Sequence, residues 1–386
     1  MDLWVFGSWG GHRFSDNAAA FFLHGQNEIA DAVRLVWISR QADIVKSLRQ
    51  DGYEAYWVWS PQGLYCCLRA GLYIFDSFSK DINFWPSRGA RKINLWSGVP
   101  LKTFERDIRT PGNRYYRLFH GSTPERWLFG FMMPWHLDRP DLIIATSPET
   151  ADITQRAFDL PASSVVVTGF PRNDILFARP DGAAALERQW PQCFKDAVEA
   201  GRRVFLYLPT YRDSGKPFLN VDWVSVERLM RDLNSIFLFK LHPDDQGVFE
   251  EDLDYVAELP QEIDIYTMLA QADVLISDYS SIIFDYMLLD RPIVYYLPDL
   301  EEFVASSRSL NFDPLEIAAG PVCVNGEELL KALAGIAAGT NKSAEQDARW
   351  LEIRHRFNTF ADGESSQRVL DAIDRNVLND RIASGR

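Results

Sequence analysis

The feature that most constrains this 386-residue chain is an alternation of short apolar runs with helical stretches, which lapses once and then resumes. Apolar runs cover residues 3–6, 35–38, 56–59, 71–75, 93–96, 142–146 and 165–169, then 204–208, 236–241, 274–276 and 293–296. They are too short for helices and continuous rather than alternating, so they read as strands buried on both faces. Helix signals fall between them. Ser15-Asp16-Asn17 caps an alanine- and phenylalanine-rich stretch, and an amphipathic segment over 41–50 closes at Asp51-Gly52. Strands alternating with crossover helices predict an α/β chain of parallel sheets, in two Rossmann-like halves. A polar, alanine-rich stretch over 179–201 is the expected connector. It divides a domain over 1–185 from one over 186–386, whose last helices pack back towards the first. Loops at the carboxyl ends of such strands are where ligands bind.

The interruption over 102–134 differs in composition. Lys102, Arg106, Arg109, Arg114, Arg117 and Arg126 interleave with Phe104, Tyr115, Tyr116, Phe119, Trp127, Phe129 and Phe131. In a chain of net charge −14 this stretch suits an anionic membrane face. A helix pair whose aromatics belong to a core is the other reading. The same net charge argues against general nucleic-acid binding. No run of 18 apolar residues exists, and the opening MDLWVFGSWGG has neither the basic region nor the apolar core of a signal peptide. With only four cysteines, in no metal or framework spacing, a cytoplasmic protein is expected. The glycine-rich turn Gly7-Ser8-Trp9-Gly10-Gly11 follows the first strand but lacks the dinucleotide fingerprint. Arg354-His355-Arg356 reads as a solvated helix face.

One βαβ unit carries the strongest chemical signal. The run 274–276 leads into Ser277-Asp278-Tyr279-Ser280-Ser281, then an apolar helical stretch from Ile282 to Leu289, and Arg291-Pro292 before the next strand. Unpaired N–H groups and the positive dipole end of that helix, beside Ser280 and Ser281, suit a phosphate or diphosphate. Capping the helix is the other reading, and the commoner role of such residues. Arg212 and His242 end two neighbouring strands, so a cation, an imidazole and a helix start would converge at one sheet edge.

Together these segments resemble the CDP-glycerol glycerophosphotransferase family of teichoic-acid primases and polymerases. The resemblance rests on Ser277-Asp278-Tyr279-Ser280-Ser281 with Phe284-Asp285-Tyr286, on Thr168-Gly169-Phe170-Pro171-Arg172-Asn173-Asp174, and on Pro209-Thr210-Tyr211-Arg212. Lys240-Leu241-His242-Pro243 and Asp362-Gly363-Glu364-Ser365-Ser366-Gln367-Arg368 complete it, in order, from about residue 90 to 370. It implies a GT-B architecture, two Rossmann-like domains with parallel sheets facing a central cleft. It also implies transfer of a polyol phosphate, glycerol 3-phosphate from CDP-glycerol, onto a hydroxyl of a lipid-linked or glycan surface polymer, with release of CMP. Donor contacts are then expected from Pro209, Thr210, Arg212, His242, Ser277, Asp278, Ser280, Ser281 and Asp285. Acceptor-side residues would be Asn17, Gly98, Lys102, Arg172 and Asn173, and catalytic ones Asp16, Ser97 and His242. No metal or cofactor is implied, and the enzyme would work peripherally on the cytoplasmic face of the inner membrane.

One departure stands out. Where the family has Trp-His-Gly-Thr-Pro-Leu-Lys, with the histidine as proposed general base, this chain has Trp96-Ser97-Gly98-Val99-Pro100-Leu101-Lys102. Serine does not take a proton at neutral pH as imidazole does. Asp16 or His12 as base, a loose transition state needing none, or a redirected member are the three explanations. Two rivals follow: a GT-B glycosyltransferase using a nucleotide sugar, since fold does not fix the donor, and a non-catalytic member of a polymer-assembly complex.

Overall fold

The structure of the protein, a computed structural model, describes residues 2–179, 181–182, 184–188, 190–210, 221–241, 253–260, 263–301, 310–340 and 343–378. The chain divides into two compact units. One comprises residues 1–100, 104–188 and 357–386, and the other 101–103 and 189–356.

The first unit is built on a seven-stranded sheet: β1 (Leu3–Gly7), β2 (Arg34–Ser39), β3 (Ala55–Trp57), β4 (Leu72–Phe75), β5 (Arg91–Asn94), β6 (Leu142–Ala145) and β7 (Val165–Val167). Its order is β3-β2-β1-β4-β5-β6-β7 and every pairing is parallel. The second unit carries β8 (Arg203–Leu208), β9 (Ser235–Phe239), β10 (Val256–Glu258), β11 (Val274–Ser277), β12 (Ile293–Tyr296) and β13 (Val322–Cys323). That sheet is parallel throughout, in the order β10-β9-β8-β11-β12-β13. The continuous apolar runs are explained by burial on both faces. Trp4, Val5, Phe6, Val36, Ile38 and Tyr73 are buried in the first sheet, and Phe205, Phe237, Leu275, Ile276 and Val294 in the second. Each such side chain contributes about 1.5–3 kcal/mol by leaving water.

The α/β class with two parallel sheets is as expected, and each switch in strand order falls between the first strand and its out-of-sequence neighbour: β1 beside β4, β8 beside β11. Carboxyl ends at a switch point leave a crevice between diverging loops. Two details differ from the sequence reading. The edge strands β10 and β13 were not foreseen, because two or three residues give no periodicity to read. The connector contains a helix of its own, Gln192–Glu199. The interruption holds two helices, Arg114–His120 and Thr123–Met132, the pair that one of its two readings expected. Among the described residues no helix is long and apolar enough to cross a membrane.

Candidate functional site

Polar groups gather at the carboxyl ends of the central strands in each unit. In the first, Asp16 opens the helix Asp16–Glu28 with a left-handed backbone (φ 66°), a conformation that costs a non-glycine residue on the order of 1 kcal/mol. Its Oδ1 accepts from Arg172 Nη1 at 2.6 Å and from the Asn17 N–H at 2.9 Å. Its Oδ2 accepts from Trp9 Nε1 at 3.2 Å. Arg172 Nη1 also donates to the Ser97 carbonyl at 2.8 Å, and its backbone N–H to Asn17 Oδ1 at 3.1 Å. Asn17 Nδ2 closes the ring on the Trp96 carbonyl, 2.7 Å, and the Leu95 carbonyl, 3.2 Å. Side chains of Asp16 and Arg172 are only 6% and 3% exposed, so the ion pair operates at low dielectric, where geometry of this quality is needed to offset desolvation.

This network fixes the loop after β5. Trp96 there is also left-handed (φ 52°), Ser97 is exposed, and Gly98 is buried behind it. Ser97 touches Arg172 through its backbone carbonyl, so the clamp does not depend on which side chain stands at 97. Asn173 is buried, its N–H on the Phe170 carbonyl. Lys102 is not in this network. It pairs as an antiparallel bridge with Leu310, and Leu101–Thr103 group with the second unit. His12, the other candidate base, is exposed with Nδ1 beside Gln41 Nε2 at 2.9 Å.

Residues that sequence reasoning passed over lie just behind. Asp76, at the end of β4, is 1% exposed and accepts from the Ala18 N–H at 2.8 Å. Asp81 is equally buried and accepts from the N–H groups of Gly10 (2.8 Å), Ser77 (2.8 Å) and Phe78 (3.3 Å). It thus plugs the glycine-rich turn after β1. A Cβ on Gly7 would meet the Asp81 carbonyl at 2.6 Å, so that turn is packed from within rather than shaped for a dinucleotide. Aspartates inside FDSFSKD carried no periodicity that could have singled them out.

In the second unit the corresponding corner is organised by backbone and hydroxyl groups around Asp278. Its carboxylate accepts from the Thr210 N–H (2.9 and 3.0 Å), from Thr210 Oγ1 (2.5 Å) and from the Tyr279 N–H (2.6 Å). Pro209 and Thr210 are thereby held at the end of β8, while Ser277 Oγ donates to the Leu208 carbonyl at 2.9 Å. Ser280 and Ser281 are half-buried at the tip, and Ser280 Oγ accepts from the Ile282 N–H at 3.4 Å. The helix expected from Ile282 to Leu289 is shorter: an α-helix over Ile282–Tyr286 tightens to 3₁₀ over Met287–Leu289. Asp285 is fully buried and accepts from Tyr266 Oη at 2.9 Å, and so supports the turn from behind. Arg212 and His242 lie outside the described residues.

Two further motifs lock together inside the first unit. Asp174 accepts from the N–H groups of Ser365 (2.8 Å) and Ser366 (2.7 Å), capping the helix Ser365–Ile373, and Arg368 Nη1 donates to the Thr168 carbonyl at 3.1 Å. Arg354 departs from a solvated face: it reaches Asp290 at 2.7 Å, while His355 and Arg356 are exposed.

Comparison with known proteins identifies the family. Residues 1–375 match the model of the family described as CDP-glycerol:poly(glycerophosphate) glycerophosphotransferase. The chain is 25% identical to the teichoic acid glycerol-phosphate transferase of Staphylococcus aureus (strain NCTC 8325 / PS 47), over 96% of this chain and 92% of that protein. It is 24% identical to the teichoic acid poly(glycerol phosphate) polymerase of Bacillus spizizenii (strain ATCC 23059 / NRRL B-14472 / W23), over 96% and 91%. Among solved structures it resembles a variant of the wall teichoic acid polymerase TagF soaked with CDPG, with TM-score 0.76, 20% identity, and 98% and 90% of the two chains covered. The fold is accordingly GT-B-like.

Proposed function

The chain belongs to the CDP-glycerol:poly(glycerophosphate) glycerophosphotransferase family, and from that membership we propose that it transfers glycerol 3-phosphate from CDP-glycerol to a hydroxyl of a lipid-linked or glycan surface polymer. The observation that carries this reading is that Arg172 Nη1 donates both to the Asp16 carboxylate, 156 positions away, and to the Ser97 carbonyl, joining three expected site residues in one network. An acceptor oxygen bonds to the β-phosphorus of the donor, the bond from that phosphorus to the bridging oxygen breaks, and CMP leaves with the electron pair. Such a transfer depends on positioned charges and dipoles more than on covalent help. The Thr210, Ser280 and Ser281 corner is assigned the donor phosphates, and the family pattern assigns Arg212 and His242 as the cation and imidazole of the donor site. Asp16, oriented by Arg172, is assigned the acceptor proton. In a loose transition state that proton moves late, so a carboxylate suffices where the family has histidine. Ser97 then shapes acceptor entry rather than proton transfer.

The segment 102–134 supports work at a membrane surface. No residue of the helix Thr123–Met132 is buried; Trp127 and Phe131 are 74% and 76% exposed and stacked on one another, centroids 6.3 Å apart. Arg109, Arg114, Arg117 and Arg126 are exposed in the same segment. Leu118, Phe119 and Met133 form a small core with Tyr115, Phe129 and Trp135 packed against it, so the core reading holds for these aromatics, and the exposed Trp127 and Phe131 are the ones assigned to the membrane. Each arginine near an anionic bilayer contributes about 1 kcal/mol. Flotation with anionic liposomes is expected for the wild type and lost when these four are changed to Glu; equal flotation removes this part of the reading.

The transferase reading is tested by incubating the protein with CDP-glycerol and a panel of lipid-linked and glycan acceptors and following CMP. Acceptor-dependent CMP release is expected. Release of UDP or GDP from a nucleotide sugar, with none from CDP-glycerol or CDP-ribitol, overturns it.

A further inference from the structure

Three carboxyl groups are buried around the carboxyl ends of β1 and β4: Asp16, Asp76 and Asp81. Their surroundings differ. Asp16 is ion-paired with Arg172. Asp81 accepts from three backbone N–H groups. Asp76 accepts from the Ala18 N–H alone, and its Oδ2 has no hydrogen-bond partner among the described residues. The Ser8 hydroxyl, equally buried, lies beside Asp76 and favours its charged form, less strongly than burial and the Asp16 charge oppose it. The charged groups acting on Asp76 are both acidic, Asp16 from the helix Asp16–Glu28 and Asp81 from the turn Ser79–Asp81; Arg172 faces Asp16, and Lys80 acts on Asp81. A buried carboxylate with one orphan oxygen and two acidic neighbours carries a desolvation penalty that protonation removes.

We propose that Asp76 is a positioning residue that stays protonated in the working enzyme, so that Asp16 alone faces Arg172 as a carboxylate. This rests on the reading of the Asp16–Arg172–Ser97 network as the acceptor side of a glycerophosphotransferase. Burial, then the Asp16 charge, push the Asp76 carboxyl well above the usual range. When Asp76 ionises at alkaline pH, a second negative charge appears behind Asp16. It repels the Asp16 carboxylate and so disturbs the Asp16–Arg172 pair that also holds the Ser97 carbonyl. Stability follows the same sign. A carboxyl whose pKa is higher folded than unfolded favours folding at acid pH and opposes it as pH rises through the folded value.

Asp76→Asn keeps the shape and the acceptor for Ala18 N–H while fixing the group as neutral. In the full chain with CDP-glycerol, this variant is expected to keep kcat/KM within about threefold near neutral pH. It should lack the alkaline fall expected of the wild type, and its melting temperature should exceed the wild type's increasingly as pH rises. An alkaline limb unchanged in Asp76→Asn, or a melting difference that does not grow with pH, overturns the proposal. A readout independent of turnover separates it from the transferase reading. In Asp-labelled protein, the Asp76 ¹³Cγ resonance is expected to stay in its protonated position through neutral pH, and titration in the ordinary carboxylate range sinks the proposal. Absence of CMP release with that resonance protonated instead faults the transferase reading.

Discussion

The two polar corners sit at equivalent places in two similar sheets, yet they are built from different materials. At β1, β4 and β5 the contacts run from an ion pair and a side-chain amide to one another and to carbonyls far apart in sequence: Asp16 to Arg172, Arg172 to Ser97, Asn17 to Trp96. At β8 and β11 one carboxylate, Asp278, gathers backbone N–H groups and a hydroxyl. A network of buried charge is rigid and fails badly when one partner is removed. A corner of backbone donors around one acidic side chain leaves its outward hydroxyls and dipoles for a ligand. The difference suits a division of labour, with the first holding a hydroxyl acceptor in one pose and the second receiving phosphates.

The severest break in that contrast is Arg172→Leu. It strands Asp16 as a buried charge and releases the Ser97 carbonyl, so a loss of about 3–5 kcal/mol in urea unfolding is expected. Turnover should fall below detection even where the variant is folded; a folded variant of normal activity would dissolve the proposed acceptor side. Asp278→Ala comes next. It leaves the Thr210 N–H and hydroxyl and the Tyr279 N–H without their acceptor, at about 1–3 kcal/mol for each donor that stays buried and unpaired. Here the expected signature is a raised KM for the donor with the acceptor KM little changed. If the acceptor KM moves instead, the two corners do not divide the substrates. Asp174→Ala lies outside both corners and removes the cap on Ser365–Ile373, a loss of about 1–2 kcal/mol with kinetic constants unchanged in the folded fraction.

Much of this was legible in the chain because strands buried on both faces must be apolar at every position. The runs at 35–38, 72–75, 204–208 and 293–296 admit no competing period. Motif residues such as Asp16, Asn17, Arg172 and Thr210 were found by resemblance and then placed by the fold. What escaped had physical reasons. Asp76 and Asp81 act through burial, which a linear sequence does not display. Helix length after Ser281 depended on where the backbone tightens to 3₁₀, and Ile282–Leu289 is apolar under either geometry. Lys102 follows Trp96-Ser97-Gly98 closely in sequence, but packing groups it with the second unit. Trp127 and Phe131 could have been separated from Phe119 and Phe129 only by knowing which side of the helix pair has a core beneath it.

The smallest expected effect sharpens the comparison most, because it concerns the position where this chain departs from its family. Ser97→His introduces an imidazole on an exposed loop whose conformation is fixed by backbone contacts, from Arg172 to the Ser97 carbonyl and from Asn17 to the Trp96 carbonyl. Neither involves the Ser97 side chain, so stability should change by no more than about 0.5 kcal/mol. If Asp16 takes the acceptor proton late in a loose transition state, a second base at 97 adds little, and kcat should move by less than about tenfold. Double substitution decides the point. Asp16→Asn alone should abolish turnover, and Ser97→His should restore part of it in that background by supplying the missing base. A gain of several orders of magnitude from Ser97→His alone would mean the native loop serves an acceptor other than the one assayed, and the charged corner would then be a scaffold for that different hydroxyl.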